Sequence, residues 1–304
     1  MVDMDADWPL PQPVSFRKEG GRAAVAPEEG AHSAAETFIA LATPVVDDAV
    51  RRARELATHC DPEGFHQLRV AFRRLRALYW AYSPYLGEEA TSQATEEFKR
   101  LAAIAGGTRD WDIASDLLKD AQASRASMGI LVTAAKEKRA QAVAHSQAMI
   151  KCDEVESFLN DVLLRARVTL ASTCHDLPLR AFAEERVRRA QRALKKRSRL
   201  AARSEPACEE ELHDVRKAGK KLRYLLEFFE FVVEGERERR IKELTSVQNK
   251  LGQFNDIAAS VSLIRSASFN NVPPEVVEES LHWLEKQKNR RMQAAARRVR
   301  DIAG

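Results

Sequence analysis

The chain has 304 residues, 31% of them charged, yet its formal net charge is only +4, so total charge alone selects no partner. That length allows one large domain or two smaller ones, each able to bury a core. No stretch approaches the 18 apolar residues of a membrane span, and the N-terminus lacks the basic-then-apolar order of a signal peptide. The four cysteines, Cys60, Cys152, Cys174 and Cys208, stand too far apart for a disulfide framework or a thiolate metal site. The expectation is a cytoplasmic protein with reduced thiols, no membrane association and no cofactor.

Residues 1–32 read as a flexible tail, with four prolines by position 27 and no sustained periodicity. From Ser33 onward the pattern is helical, and no alternating run reads as a strand. Breaks are expected at "HCDPEG" (59–64), "SPYLGEE" (83–89), "GGTRD" (106–110), "LPL" (177–179), "SEPACEE" (204–210), "EGER" (234–237) and "NNVPPE" (270–275). Each contains the Gly, Pro, Asp, Asn or Ser that ends one helix or caps the next.

In chain order, a first basic helix, "VRRAREL" (50–56), precedes a second, "HQLRVAFRRLRALYWAY" (66–82). With His66 at zero, Arg73 lies within about 20°, and Arg69 and Arg76 at about 60° and 80°, while Leu68, Phe72, Leu75 and Tyr79 oppose them. "AGGTRDWDI" (105–113) and "KEKRAQA" (136–142) follow, then "CDEVESFLNDVLLRARVTL" (152–170), which reads as a joining helix.

The pattern then recurs. "LKKRSRL" (194–200) stands where "VRRAREL" stood. "HDVRKAGKKLRYLLEFF" (213–229) repeats the histidine helix at an offset of 147, placing Arg216, Lys220, Lys221 and Arg223 over Arg69, Arg73, Arg74 and Arg76. "LGQFNDIAA" (251–259) matches "AGGTRDWDI" at an offset of 146, pairing Gly106 with Gly252 and Asp110 with Asp256, and "KNRRMQA" (288–294) weakly matches "KEKRAQA". The chain thus reads as two homologous helical units, 33–175 and 176–304, for which duplication implies pseudo-twofold packing.

The two histidine helices carry almost purely cationic faces, although like charges one turn apart repel. Ordinary solvated faces mix signs. If the two faces meet near an axis, they line a shared groove or pore that requires a long or highly charged anion. Arg188, Arg192, Lys195 and Arg199 form a further stripe on the preceding helix and, with Arg51 and Arg291, are expected as a second tier of basic lining.

These motifs resemble the CHAD (conserved histidine α-helical domain) family. The resemblance rests on His-x-x-Arg-x-x-x-basic-basic-Leu-Arg at 66–76 and 213–223 and on Gly-x-x-(Arg/Asn)-Asp at 106–110 and 252–256. It extends over everything after the tail. It implies an all-α fold of two helical bundles around a basic central channel that binds inorganic polyphosphate, without catalysis. The candidate ligands it implies are His66, Arg69, Arg73, Arg74, Arg76, His213, Arg216, Lys220, Lys221 and Arg223. Ala105 departs from the family's leucine before the glycine, and Gly219 stands where the first repeat has Phe72.

Other readings are weaker. His66 and His213 are ringed by cations, which repel a metal ion, so no metal site is expected. Asp110 and Asp256 read as helix caps or as partners that orient arginines, and no catalytic residue is expected. "ERERR" (236–240) has an acid–base alternation but belongs to a helix. Non-specific nucleic-acid binding is the rival, because phosphate contacts carry no sequence information, but the basic faces lack the interleaved aromatics of single-strand binders. The expected partner is inorganic polyphosphate, the expected location the polyphosphate granule. The alternative is an accessory or regulatory module for a phosphate-ester or triphosphate enzyme.

Overall fold

Starting at Ser33, the chain winds into helices whose ends are set by local chemistry. Ser33 caps α1 (Ala34–Thr58) through a reciprocal capping box with Glu36. Asp61 caps α2 (Pro62–Leu86), its carboxylate accepting from the Glu63 and Gly64 amides, and Pro62 supplies the pre-set first turn. α2 ends at Gly87, whose φ of 82° only glycine adopts without strain. α3 (Glu88–Ile104) follows directly. Then come α4 (Gly106–Gln122), α5 (Gly129–Met149) and α6 (Cys152–Thr173). α7 (Leu179–Arg203), α8 (Glu209–Phe228), α9 (Arg237–Ser266) and α10 (Pro274–Ala303) complete the order. The computed structural model describes residues 33–303 except 60, 123–127, 175 and 233–236. The expected tail (1–32), Cys60 and most of the expected break at 234–237 lie outside the described residues. Among the described residues there is no strand, and no helix is long and apolar enough to cross a membrane.

The helices pack around two apolar clusters. The larger takes the inward faces of α1, α2, α3, α6, α7 and α8, the earlier turns of α9 and the later turns of α10, with Phe38, Phe72, Tyr82, Phe182 and Phe229 among its aromatics. The smaller joins α4 and α5 to the later turns of α9 and to α10 through Trp111, Leu118, Leu131, Ile257, Val261 and Leu284. A hydrogen bond ties the beginnings of the two units, Ala34 N donating to Leu177 O at 3.1 Å, and the buried Tyr82 hydroxyl of α2 donates to Ala34 O at 2.8 Å.

Most expected breaks coincide with helix ends. "SPYLGEE" resolves as Pro84 inside the last turn of α2, with the break at Gly87. The joining helix is α6. Its boundary with α5, at Ile150–Lys151, was not expected: neither residue is a breaker, and the turn follows from tertiary packing of Ile150, which is buried. Nor was it expected that α9 would run unbroken over the stretch equivalent to α3 and α4 together. The first repeat turns at Ala105, while the matching Leu251 and Gly252 stay helical.

Candidate anion site between the histidine helices

The histidine helices α2 and α8 have opposed faces, as their spacing requires. Leu68, Phe72, Leu75 and Tyr79 of α2 are buried, and so are Val215, Leu222 and Leu226 of α8. Their cationic faces consequently turn away from the larger cluster, toward α4 and α9 and toward each other. Gly219, also buried, brings α8 close to Gln248 of α9, whose side-chain nitrogen lies 3.6 Å from where a Cβ would stand.

Arg69 is held by α4. Its Nη1 donates to Asp110 Oδ1 at 2.9 Å and approaches Gly106 O at 3.5 Å. A Cβ on Gly106 would come within 3.0 Å of the same nitrogen, so the glycine makes room for the guanidinium. Arg73 donates from Nε to Arg69 O, 3.3 Å. In the second repeat, Asp256 of α9 acts on Arg216 and Lys220 through its charge, without the direct ion pair that Asp110 makes with Arg69. Both aspartates lie within helices and neither caps one.

The two basic faces meet. Arg73 and Arg69 of α2 lie within electrostatic reach of Arg216 and Lys220 of α8. Burial, reinforced by the neighbouring cations, lowers the Arg73, Arg216 and Lys220 side chains from their ordinary values, Lys220 the most. Burial also raises the Asp256 carboxyl, against the pull of Arg216 and Lys220. The Arg216 and Arg223 Nε atoms are buried with no hydrogen-bond partner among the described residues.

The histidines stand at the edge of this cluster. Burial and then Arg73 push His66 down to about 4, and its Nδ1 is buried without a partner among the described residues. His213 is lowered too, by burial and then Lys217, though its Nδ1 is 2.9 Å from Asn255 Oδ1. Arg109 acts on His66 from the position equivalent to Asn255.

On the flanks, equivalent residues make different contacts. Arg74 of α2 reaches Glu227 of α8 at 3.8 Å, and Arg223 pairs with the same carboxylate at 2.9 Å. Arg74 also lies over Phe228, and Arg223 over Tyr224. Adding 147 to Arg74 gives Lys221, but Trp80 stands where the second repeat has Glu227. Lys221 Nζ accordingly lies over the Trp80 ring, 4.3 Å from its centroid. Arg186 of α7 lies over that ring at 4.5 Å and donates to Trp80 O at 2.7 Å. Arg76, partly buried, acts on Lys221 from α2. The expectation of a basic face without aromatics is thus corrected. Trp80 and Tyr224 belong to it, because residue 80 falls at about 40° from His66, within the cationic sector.

The outer cations are placed differently. α7 buries Ala183, Val187, Ala190, Leu194 and Ala201, so the stripe Arg188, Arg192, Lys195 and Arg199 faces solvent. Arg188 pairs with Glu184 and Glu185, and Arg192 with Glu185. Arg51 pairs with Asp48 and Glu55. Arg291 donates to Gln253 on α9, 2.8 Å. The structure brings none of these six into the contacts around Arg73 and Lys220. Reading by stripe missed Arg186, the one buried charged residue of α7, 5% exposed. Its signal was its place in the apolar stripe, one position before Val187.

The comparisons agree on the architecture. No curated protein matches the chain. Among solved structures, the crystal structure of the CHAD domain from the plant Ricinus communis is similar at 23% identity and a TM-score of 0.71, covering 87% of this chain and 91% of that one. PptA from Streptomyces chartreusis is similar at 15% identity and a TM-score of 0.60, covering 90% of this chain and 99% of that one. The sequence model of the CHAD domain matches residues 40–265, which include both histidine helices and both Gly-x-x-(Arg/Asn)-Asp segments. With the all-helical fold, the match assigns this chain to the CHAD domain family.

Proposed function

We propose that the protein binds inorganic polyphosphate, without catalysis, on the cations that α2 and α8 press together. One observation carries this reading: Arg69, Arg73, Arg216 and Lys220 share one partly buried place where Asp110 and Asp256 are, among the described residues, the acidic groups that act on them. Like charges so placed raise the energy of the free protein, and a polyanion removes that cost. A chain of phosphates supplies charge at short intervals and asks for no base-stacking surface. The aromatic rings near the site support this choice, since Trp80, Tyr224 and Phe228 already lie against the protein's own cations.

The reading is non-catalytic because the two carboxylates at the centre lie among cations, Asp110 paired with Arg69 and Asp256 within the field of Arg216 and Lys220. A phosphoryl-transfer site instead sets acidic groups to hold metal ions against the substrate. We place the protein in the cytoplasm, on polyphosphate granules, as the location where such a ligand is concentrated.

The test is a salt-controlled competition between long-chain polyphosphate and single-stranded nucleic acid of matched charge. Polyphosphate is expected to win clearly, with affinity falling linearly in log salt as counterions are released. Equal affinities would replace this reading with general polyanion binding. Phosphate release from polyphosphate by the pure protein, abolished in Asp110→Asn or Asp256→Asn, would make it an enzyme.

A further inference from the structure

The two flanks of the site differ in charge although their backbone positions are equivalent. On one, the Glu227 carboxylate pairs with both Arg74 and Arg223 and offsets part of their charge. On the other, Trp80 replaces the carboxylate, and Lys221 is surrounded by Arg76 of α2 and by Arg186, Arg189 and Arg197 of α7. No acidic group is among the principal charges acting on Lys221, which burial and these four arginines bring down to about 8. At the level of Arg186 and Arg189, α7 adds cations where α1 adds none, since α1 has no Lys or Arg between Ala34 and Val50, whereas Arg197 falls in the stretch that matches the basic end of α1. The α7 flank also grades outward, from buried Arg186 through partly buried Lys221 and Arg76 to exposed Arg189 and Arg197. Arg189 and Arg197 are eight residues apart, about 12 Å along the helix axis. That spacing suits an extended chain of phosphates and exceeds the reach of a single one.

We infer that a polyphosphate chain seated on Arg69, Arg73, Arg216 and Lys220 runs outward past Trp80, over Arg186 and Lys221, to Arg189 and Arg197, and leaves the protein on the α7 side alone. The inference rests on the polyphosphate reading and adds to it an inner site, an outer track and a closed opposite flank. A short anion occupies the inner site; only a long one uses the track.

The test compares long-chain polyphosphate with tripolyphosphate on wild type, on Arg189→Ala/Arg197→Ala, and on Arg188→Ala/Arg192→Ala. The last removes the same charge from the same helix, but from residues paired with Glu184 and Glu185. All four positions are exposed, so the fold is expected to hold. Loss of Arg189 and Arg197 should weaken long-chain binding about tenfold or more and lower the salt slope by about one per residue, with tripolyphosphate unchanged. The Arg188 and Arg192 pair should change neither ligand. The outer track is overturned if Arg189→Ala/Arg197→Ala binds the long chain as wild type does, if it loses both ligands equally, or if the two double variants behave alike. Failure of the wild type to bind either phosphate would instead overturn the polyphosphate reading itself.

Discussion

At the scale of single residues, Gly106 and Gly252 occupy matching positions with unlike surroundings. A Cβ on Gly106 would press on the Arg69 guanidinium, whereas one on Gly252 would meet nothing within 4 Å. Gly106→Ala is expected to displace Arg69 from Asp110 and weaken polyphosphate binding about tenfold, the scale of one charge-assisted hydrogen bond. Gly252→Ala should leave binding intact and stabilise the fold by about 0.5–1 kcal/mol, since it removes backbone freedom from the unfolded chain. Denaturation midpoints and binding constants of the two variants separate these outcomes. His66 makes the second residue-scale prediction. Its folded value of about 4 lies below the ordinary 6.5, so between those values the unfolded chain holds more protons. Stability is then complete above pH 6.5 and falls as pH drops toward 4. An anion opposes the shift, so binding should take up protons in the same window and strengthen as pH falls. Calorimetry in buffers of different ionisation enthalpy measures this uptake. Uptake unchanged in His66→Gln/His213→Gln would show that the histidines only position the helices.

Among the secondary-structure elements, α2 and α8 act as one unit. Arg73 of one and Arg216 and Lys220 of the other share a field, so Arg69→Ala/Arg73→Ala and Arg216→Ala/Lys220→Ala should each impair binding about tenfold or more. Neither should unfold the protein, because every substituted side chain opposes the buried apolar stripe. If one pair proved silent while the other abolished binding, the anion would sit on a single repeat. The duplicated histidine helices and their buried faces were legible in the sequence because helical periodicity and a fixed offset are local properties. Three features were not. The turn at Ile150 comes from packing, without a breaker residue. The two stripes of α7 are legible in its spacing, but that the charged stripe faces solvent depends on where the apolar stripe packs. Trp80 was set aside as aromatic, although its angle placed it among the cations; contacts from α7 and α8 gave it its role, and those depend on tertiary structure.

For the whole molecule, cationic faces lie where α2 and α8 meet α4 and α9; α2, α8 and the earlier turns of α9 share the larger apolar cluster, and α4 belongs to the smaller. Repulsion there works against the packing of these helices, so a bound polyanion should stabilise the entire fold by mass action. At a free ligand concentration about 100 times the dissociation constant, the gain is about 2.7 kcal/mol, which for a chain of this size corresponds to a rise in Tm of roughly 4 °C. The rise should shrink with added salt and vanish in the four-fold Arg69, Arg73, Arg216 and Lys220 alanine variant. A Tm indifferent to polyphosphate would mean that the folded protein has no preference for it over the unfolded chain.

The exchange of Glu227 for Trp80 has one more consequence. Linear inorganic polyphosphate has no head or tail; it reads the same from either end. A binding frame made of two identical halves would share that indifference and hold the chain in two equivalent orientations. By placing a carboxylate on one flank and an aromatic ring on the other, this pair of residues gives polarity to a repeated scaffold. Direction along the polymer is then a property of the protein alone, and it is written at two positions 147 residues apart.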